Sequence, residues 1–158
     1  QRLSRGLGDV YKRQMYKDSF LKVKNEGINI TIHAGEGDGV HSIQEALDNG
    51  AKRIGHGVRI IEDISDDNEL GPTADYILQN NIPLEVCITS NLHTNMYKNP
   101  QDHPISRLHN LGFNISLNTD NRLMSNTSID NELNVAKAAG IENPTYLLKY
   151  SASDSFLN

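Results

Sequence analysis

The sequence holds a single cysteine, no tryptophan and no long apolar run. With Cys87 alone, no internal disulfide can staple the fold, so stability has to come from a packed core. Cys87 lies inside the run LEVCI and reads as a small buried hydrophobe. No stretch approaches the ~18 consecutive apolar residues of a membrane-spanning helix, and no h-region of about 7–15 apolar residues opens the chain. A basic excess is missing too. The formal net charge is −5, which speaks against a nucleic-acid backbone as partner. Internal repeats and low-complexity segments are absent. The expectation is a cytoplasmic protein that binds neither nucleic acid nor membrane.

What is present suits one domain with a real core, given 158 residues. The charge is unevenly spread. Residues 1–14 carry four basic side chains against one acidic, a net +3, which leaves −8 for the remainder. That first segment has no helical or strand period, and its ending, GDVYKRQ, resembles translated sequencing-adaptor read-through at the broken end of an assembled gene. Residues 1–14 are therefore expected to be non-native or disordered, and residues 15–158 to form the folded unit.

From Met15 onward, helical and strand patterns alternate. An amphipathic helix over Met15–Asn25 is followed by a β-branched run, Ile28–His33. A helix over Val40–Asn49 precedes a short strand at Arg53–Gly55. A helix over Leu70–Asn80, with Pro72 in its first turn, precedes a strand at Leu84–Ile88 that opens into a loop at Thr89–His93. A short helix from Pro104 precedes the strand Phe113–Leu117. Helices over Ser128–Ala139 and from Pro144 to Leu157 close the pattern. Four strand–helix units in that order imply parallel strands joined by crossovers. A full (β/α)₈ barrel needs about 250 residues, so the expected fold class is α/β, a partial TIM barrel of about four units.

Three strand ends carry polar clusters. The run INITIHAGE ends on His33-Ala34-Gly35-Glu36, RIGHG places His56 between two glycines, and NISLNTDN ends on Asp120 and Asn121. Carboxyl ends of parallel strands converge on one face, where chemistry is done in such folds. Neutral imidazoles and a carboxylate suit zinc. Each residue alone also has a structural reading, as a satisfied strand-end histidine or a helix-capping aspartate. Their conjunction at three strand ends is the case for a site.

These motifs, with Thr89-Ser90-Asn91-Leu92-His93-Thr94, stand in the order and context of adenosine deaminases, and residues 15–158 resemble the carboxyl-terminal half of that family's barrel. The resemblance implies zinc-dependent hydrolytic deamination of adenosine or deoxyadenosine, with one zinc ion per intact site. Motif by motif, His33 resembles a histidine ligand and Asp120 the aspartate ligand. Glu36 resembles the proton donor to purine N1, and His56 the histidine that orients and helps deprotonate the attacking water. Gly35 and Asn121 fall at substrate-binding positions. Asn121 stands where many members have a second aspartate, and its amide can donate to purine N7 directly. The family's other two ligands form a His-x-His pair, and these 158 residues contain none. The expectation is an incomplete chain, inactive alone, whose partner is the missing amino-terminal half.

Two rivals remain on the sequence. One is a sister deaminase for adenine or AMP; the other is a non-catalytic half-barrel binding module. A cytidine-deaminase type of zinc site needs several cysteines, and the single Cys87 speaks against it. The remaining polar residues have quieter expectations. His41 and His109 read as surface residues, and His103 as shaping the helix start at Pro104. Ser90 and Asn91 read as loop-fixing, Asp38 and Asp63 as loop or cap residues, and His93, on the side of the expected catalytic face, either as a residue without a role there or as a neighbour of the site. Glu85 points either toward His56 or into an ion pair.

Overall fold

The computed structural model describes residues 17–148. The expectations for residues 1–14, and for a helix past residue 148, lie outside the described residues. Helix α1 (Lys17–Asn25) leads into β1 (Ile30–Ala34), α2 (Val40–Asp48) and β2 (Ala51–His56). After a 3₁₀ turn at Val58–Asp63 come α3 (Pro72–Gln79) and β3 (Leu84–Val86). Then follow α4 (Ile88–His93), a 3₁₀ turn at Pro100–Asp102, α5 (Ile105–Asn110) and β4 (Ile115–Leu117). Helices α6 (Arg122–Ser125) and α7 (Ile129–Ala138), with a 3₁₀ turn at Pro144–Tyr146, complete the described chain.

The four strands form one sheet in the order β1-β2-β3-β4, every pair parallel. This is the partial (β/α)₈ architecture that the alternation implies. Ile32, Ile54, Leu84 and Ile115 are register partners across the sheet and are nearly inaccessible to solvent. They pack in one core with Ile43 and Ala46 of α2, Ala74 and Ile77 of α3, and Ile105 and Leu108 of α5. Burying each such aliphatic side chain is worth about 1.5–3 kcal/mol relative to exposure. Among the described residues, no helix is long and apolar enough to cross a membrane.

Several boundaries differ from expectation, β2 running over Ala51–His56 and β4 over Ile115–Leu117, with only a 3₁₀ turn described at Pro144–Tyr146; two of the differences have a local cause. Strand β1 begins at Ile30, because Gly27 takes a left-handed φ of 70° and leaves Ile28 53% exposed in the connection. Strand β3 ends at Val86; Cys87 caps a helix in which Ile88 is fully buried. A short apolar run such as LEVCI fits a buried strand and a buried helix start equally well. Asp63 is a cap, as expected, but of a distant helix: its Oδ2 accepts from the backbone N–H groups of Thr73 and Ala74, each at 2.9 Å. A Cβ on Gly71 would stand 2.1 Å from Asp63 Oδ1, so only glycine leaves room for that cap.

Candidate functional site

The carboxyl ends of β1, β2 and β4 bring His33, His56 and Asp120 together, with ligating atoms all within 4.8 Å of one another. His33 lies in register with Gly55, where a Cβ would come within 2.9 Å of its Nδ1. The missing side chain on β2 is what admits the His33 ring. That ring meets His56 edge-on, with centroids 5.1 Å apart.

The strand ends share a backbone device. Gly35, His56, Gly57 and Asp120 have φ values of 67°, 62°, 67° and 54°. Non-glycine residues seldom adopt this left-handed region, though histidine, aspartate and asparagine are over-represented there, and a cost of about 1–3 kcal/mol each is typical. The turn at Gly35 is closed from both sides. Its N–H donates to Ser42 Oγ at 2.9 Å, its carbonyl accepts from Arg59, and a Cβ would strike Ile43 Cδ1 at 2.5 Å. With its N–H already engaged, Gly35 shapes the site through its lack of a side chain.

His56 is 1% exposed. Its Nε2 lies 3.6 Å from Glu36 Oε2, and its Nδ1 lies 3.2 Å from Asn91 Nδ2. Burial, aided by the neighbouring His33, lowers its pKa to about 4, against a smaller opposing pull from Asp120. The ring is neutral at physiological pH. Asp120 Oδ2 accepts from Ser90 Oγ at 2.7 Å, which orients the carboxylate. Asn121, exposed beside it, N-caps α6 by accepting from Met124 N–H at 3.1 Å.

From the sequence, Ser90 and Asn91 are expected in a loop. They stand instead on α4, and each holds a site residue: Ser90 holds Asp120, and Asn91 reaches both His56 and Glu36 Oε1, the latter at 3.4 Å. Their position after β3 was the available signal, since it is the fourth strand end of the same sheet. His103 does shape a helix start, accepting from Ile105 N–H at 3.2 Å, and it also contacts Asn91 Oδ1 at 3.2 Å. Burial chiefly, with His56 adding, lowers the His103 pKa to about 3.

The other candidates lie apart from the cluster. His93 is exposed on the last turn of α4. His41 is solvated and pairs with Asp38 at 3.2 Å. His109 is half-buried against the Tyr146 hydroxyl at 2.5 Å. Glu85 takes the second of its two expected courses, an ion pair with Arg53 at 3.1 Å.

The His33 imidazole and the Asp120 carboxylate, converging beside the His56 ring, fit a divalent metal such as zinc, which takes nitrogen and oxygen donors and leaves one position for water in catalytic sites. A family model for adenosine deaminase matches residues 8–146. Adenosine deaminase 1 of Streptomyces coelicolor is 46% identical over 127 residues, covering 77% of this chain and 32% of that protein. The chain thus spans about a third of the length of the curated relatives it matches. Among solved structures, an adenine deaminase from Arthrobacter aurescens superposes with a TM-score of 0.77 at 25% identity, over 90% of this chain and 43% of that one. A Burkholderia ambifaria amidohydrolase with bound Zn shares the fold, with a TM-score of 0.77 at 16% identity over 92% of this chain and 40% of its own.

Proposed function

Because the chain belongs to the adenosine deaminase family, we propose that its strand-end cluster is part of a zinc centre for hydrolytic deamination of adenosine or deoxyadenosine. The observation that carries this reading is the convergence of His33, His56 and Asp120 within 4.8 Å, with Glu36 3.6 Å from His56. His33 and Asp120 hold the ion, and the remaining donors come from a part of the barrel outside these 158 residues. When bound, zinc lowers the pKa of a water to about 7 and so supplies a nucleophile near neutral pH.

The chain's own residues do the rest. As the water oxygen adds to C6 of the purine, charge builds on N1. Glu36, protonated in the complex, passes its proton there. The two protons of the water balance the step: one restores Glu36 and the other reaches the amino nitrogen, so the C6–N bond breaks, ammonia leaves, and the ring keeps oxygen as inosine or deoxyinosine. His56 faces the attacking oxygen. Asn121 uses its amide oxygen for the α6 cap, which leaves the amide N–H₂ to donate to purine N7. The partner is a small purine nucleoside, and the setting is cytoplasmic. Adenine is the second substrate reading, favoured by the Arthrobacter aurescens neighbour; the 46% identity to an adenosine deaminase puts adenosine first.

The test compares the chain alone with the chain joined to the amino-terminal part of an adenosine deaminase relative. Alone, it should bind zinc weakly and release no ammonia from adenosine. Joined, it should gain both, and Glu36→Gln should then keep zinc and nucleoside while losing about 10²–10⁴-fold in turnover. A joined protein that holds zinc without turnover of adenosine or adenine would sink the deaminase reading. Strong turnover by the chain alone would sink the two-ligand assignment.

A further inference from the structure

Asn91, His56 and His103 form a buried line of side chains, 0%, 1% and 3% exposed. At its outer end, the backbone N–H of Ile105 points at His103 Nδ1 from 3.2 Å. A backbone N–H can only donate, so Nδ1 carries the lone pair and the proton of the neutral ring sits on Nε2. That Nε2–H faces Asn91 Oδ1 at 3.2 Å. The amide is thereby oriented, with its oxygen toward His103 and its nitrogen toward His56 Nδ1 at 3.2 Å and Glu36 Oε1 at 3.4 Å. The reverse orientation would set an amide N–H₂ against the His103 Nε2–H and an amide oxygen against a carboxylate. An amide nitrogen also can only donate, so His56 Nδ1 accepts and the His56 proton sits on Nε2.

We propose that His103 is a positioning residue that acts through Asn91 to fix His56 in its Nε2–H tautomer. His56 then faces the reaction centre as a hydrogen-bond donor. With its Nε2 lone pair used by the proton, it is not a metal ligand, which leaves His33 and Asp120 to hold the ion. The donor role toward an attacking oxygen rests on the deaminase reading; the tautomer does not.

Long-range proton–nitrogen NMR on the full chain reads the tautomer directly, because protonated and bare imidazole nitrogens resonate far apart. His56 should show a bare Nδ1 and a protonated Nε2, in an excess of about tenfold or more, since the other tautomer buries two N–H groups face to face. A protonated Nδ1 in the unaltered chain overturns the proposal. His103→Leu removes the donor and should erase the excess, while His103→Gln, with an amide N–H near the lost Nε2, should restore it. An undiminished excess in His103→Leu also overturns the proposal. If that variant does not fold, Asn91→Asp decides. A carboxylate can only accept and should invert the tautomer; retention counts against the line of reasoning. Absence of ammonia release by the joined protein would count against the deaminase reading and would leave these nitrogen signals unmoved.

Discussion

Along β1, Ile32 and Ala34 are each 4% exposed, whereas Thr31 and His33, which alternate with them, are half-buried and exposed. The same alternation runs across the sheet. One face presents Ile32, Ile54, Leu84, Val86, Ile115 and Leu117, all within the apolar core. The other presents Thr31, Arg53, Glu85 and Ser116, joined in part by hydrogen bonds: Arg53 Nε donates to Thr31 Oγ1 at 3.0 Å and pairs with Glu85. A strand has a period of two, so neighbouring residues can serve opposite purposes with no competition for the same space. The apolar face holds the fold. The polar face and its carboxyl rim hold the donors. The comparison teaches that substitutions on the two faces should report on different quantities.

The largest effect tests that separation directly. Leu84→Ala, on the apolar face, should cost about 2–5 kcal/mol in urea unfolding, because it empties a fully buried position at the centre of the sheet. His33→Ala, on the exposed rim, should change the unfolding free energy by less than about 1 kcal/mol. It should nevertheless abolish zinc uptake in the joined protein. Equal stability losses for the two variants would break the distinction between the faces.

A smaller effect arises behind the rim, where polar side chains are as buried as the core. His103 titrates near 6.5 when exposed and near 3 in the fold. Above pH 6.5 both states are neutral and the residue contributes no pH dependence. As pH falls below 6.5, the unfolded chain takes a proton that the folded chain refuses, so stability drops until the folded ring itself titrates near pH 3. Between pH 6.5 and pH 5 the loss from this residue is about 2 kcal/mol. His103→Gln does not titrate, so its unfolding free energy should fall less over that interval, by about the same amount. Parallel pH curves for the two proteins would show that His103 is charged or solvated in the fold.

The outer layer of the molecule was legible in the sequence because it is periodic. Ile43 and Ala46 on α2, and Ala74 and Ile77 on α3, repeat at helical spacing, and all four are buried as expected. His33, Glu36, His56 and Asp120 were legible because each follows an apolar run, and the structure brings His33, His56 and Asp120 into one cluster with Glu36 beside His56. Asn91 was not legible. Its partners His56 and Glu36 lie 35 and 55 residues away, and no local pattern announces a buried amide that spans them. His103 was half legible. Pro104 marks a helix start, which explains one ring nitrogen; the other meets Asn91 only because the chain returns there in three dimensions. The run LEVCI misled for the opposite reason: apolar composition says buried and does not say strand.

The smallest expected effect sharpens the comparison at the polar face itself. Glu85 stands in the same register row as His33, between Gly55 and Ser116. Two roles were open to it in the sequence: to hold His56, or to pair with a cation. In the structure it pairs with Arg53 at 3.1 Å, and the His56 Nδ1 contact is made by Asn91. Both members of the pair are partly exposed, at 20% and 27%, so solvent screens their attraction. Arg53 also keeps its hydrogen bond to Thr31 when the carboxylate is neutralised. Glu85→Gln should therefore cost no more than about 1 kcal/mol. It should leave the His56 ring nitrogens and the zinc content of the joined protein unchanged. A shifted His56 spectrum in this variant would mean that Glu85 supports the site, and the line from His103 through Asn91 would lose its claim to hold that ring alone.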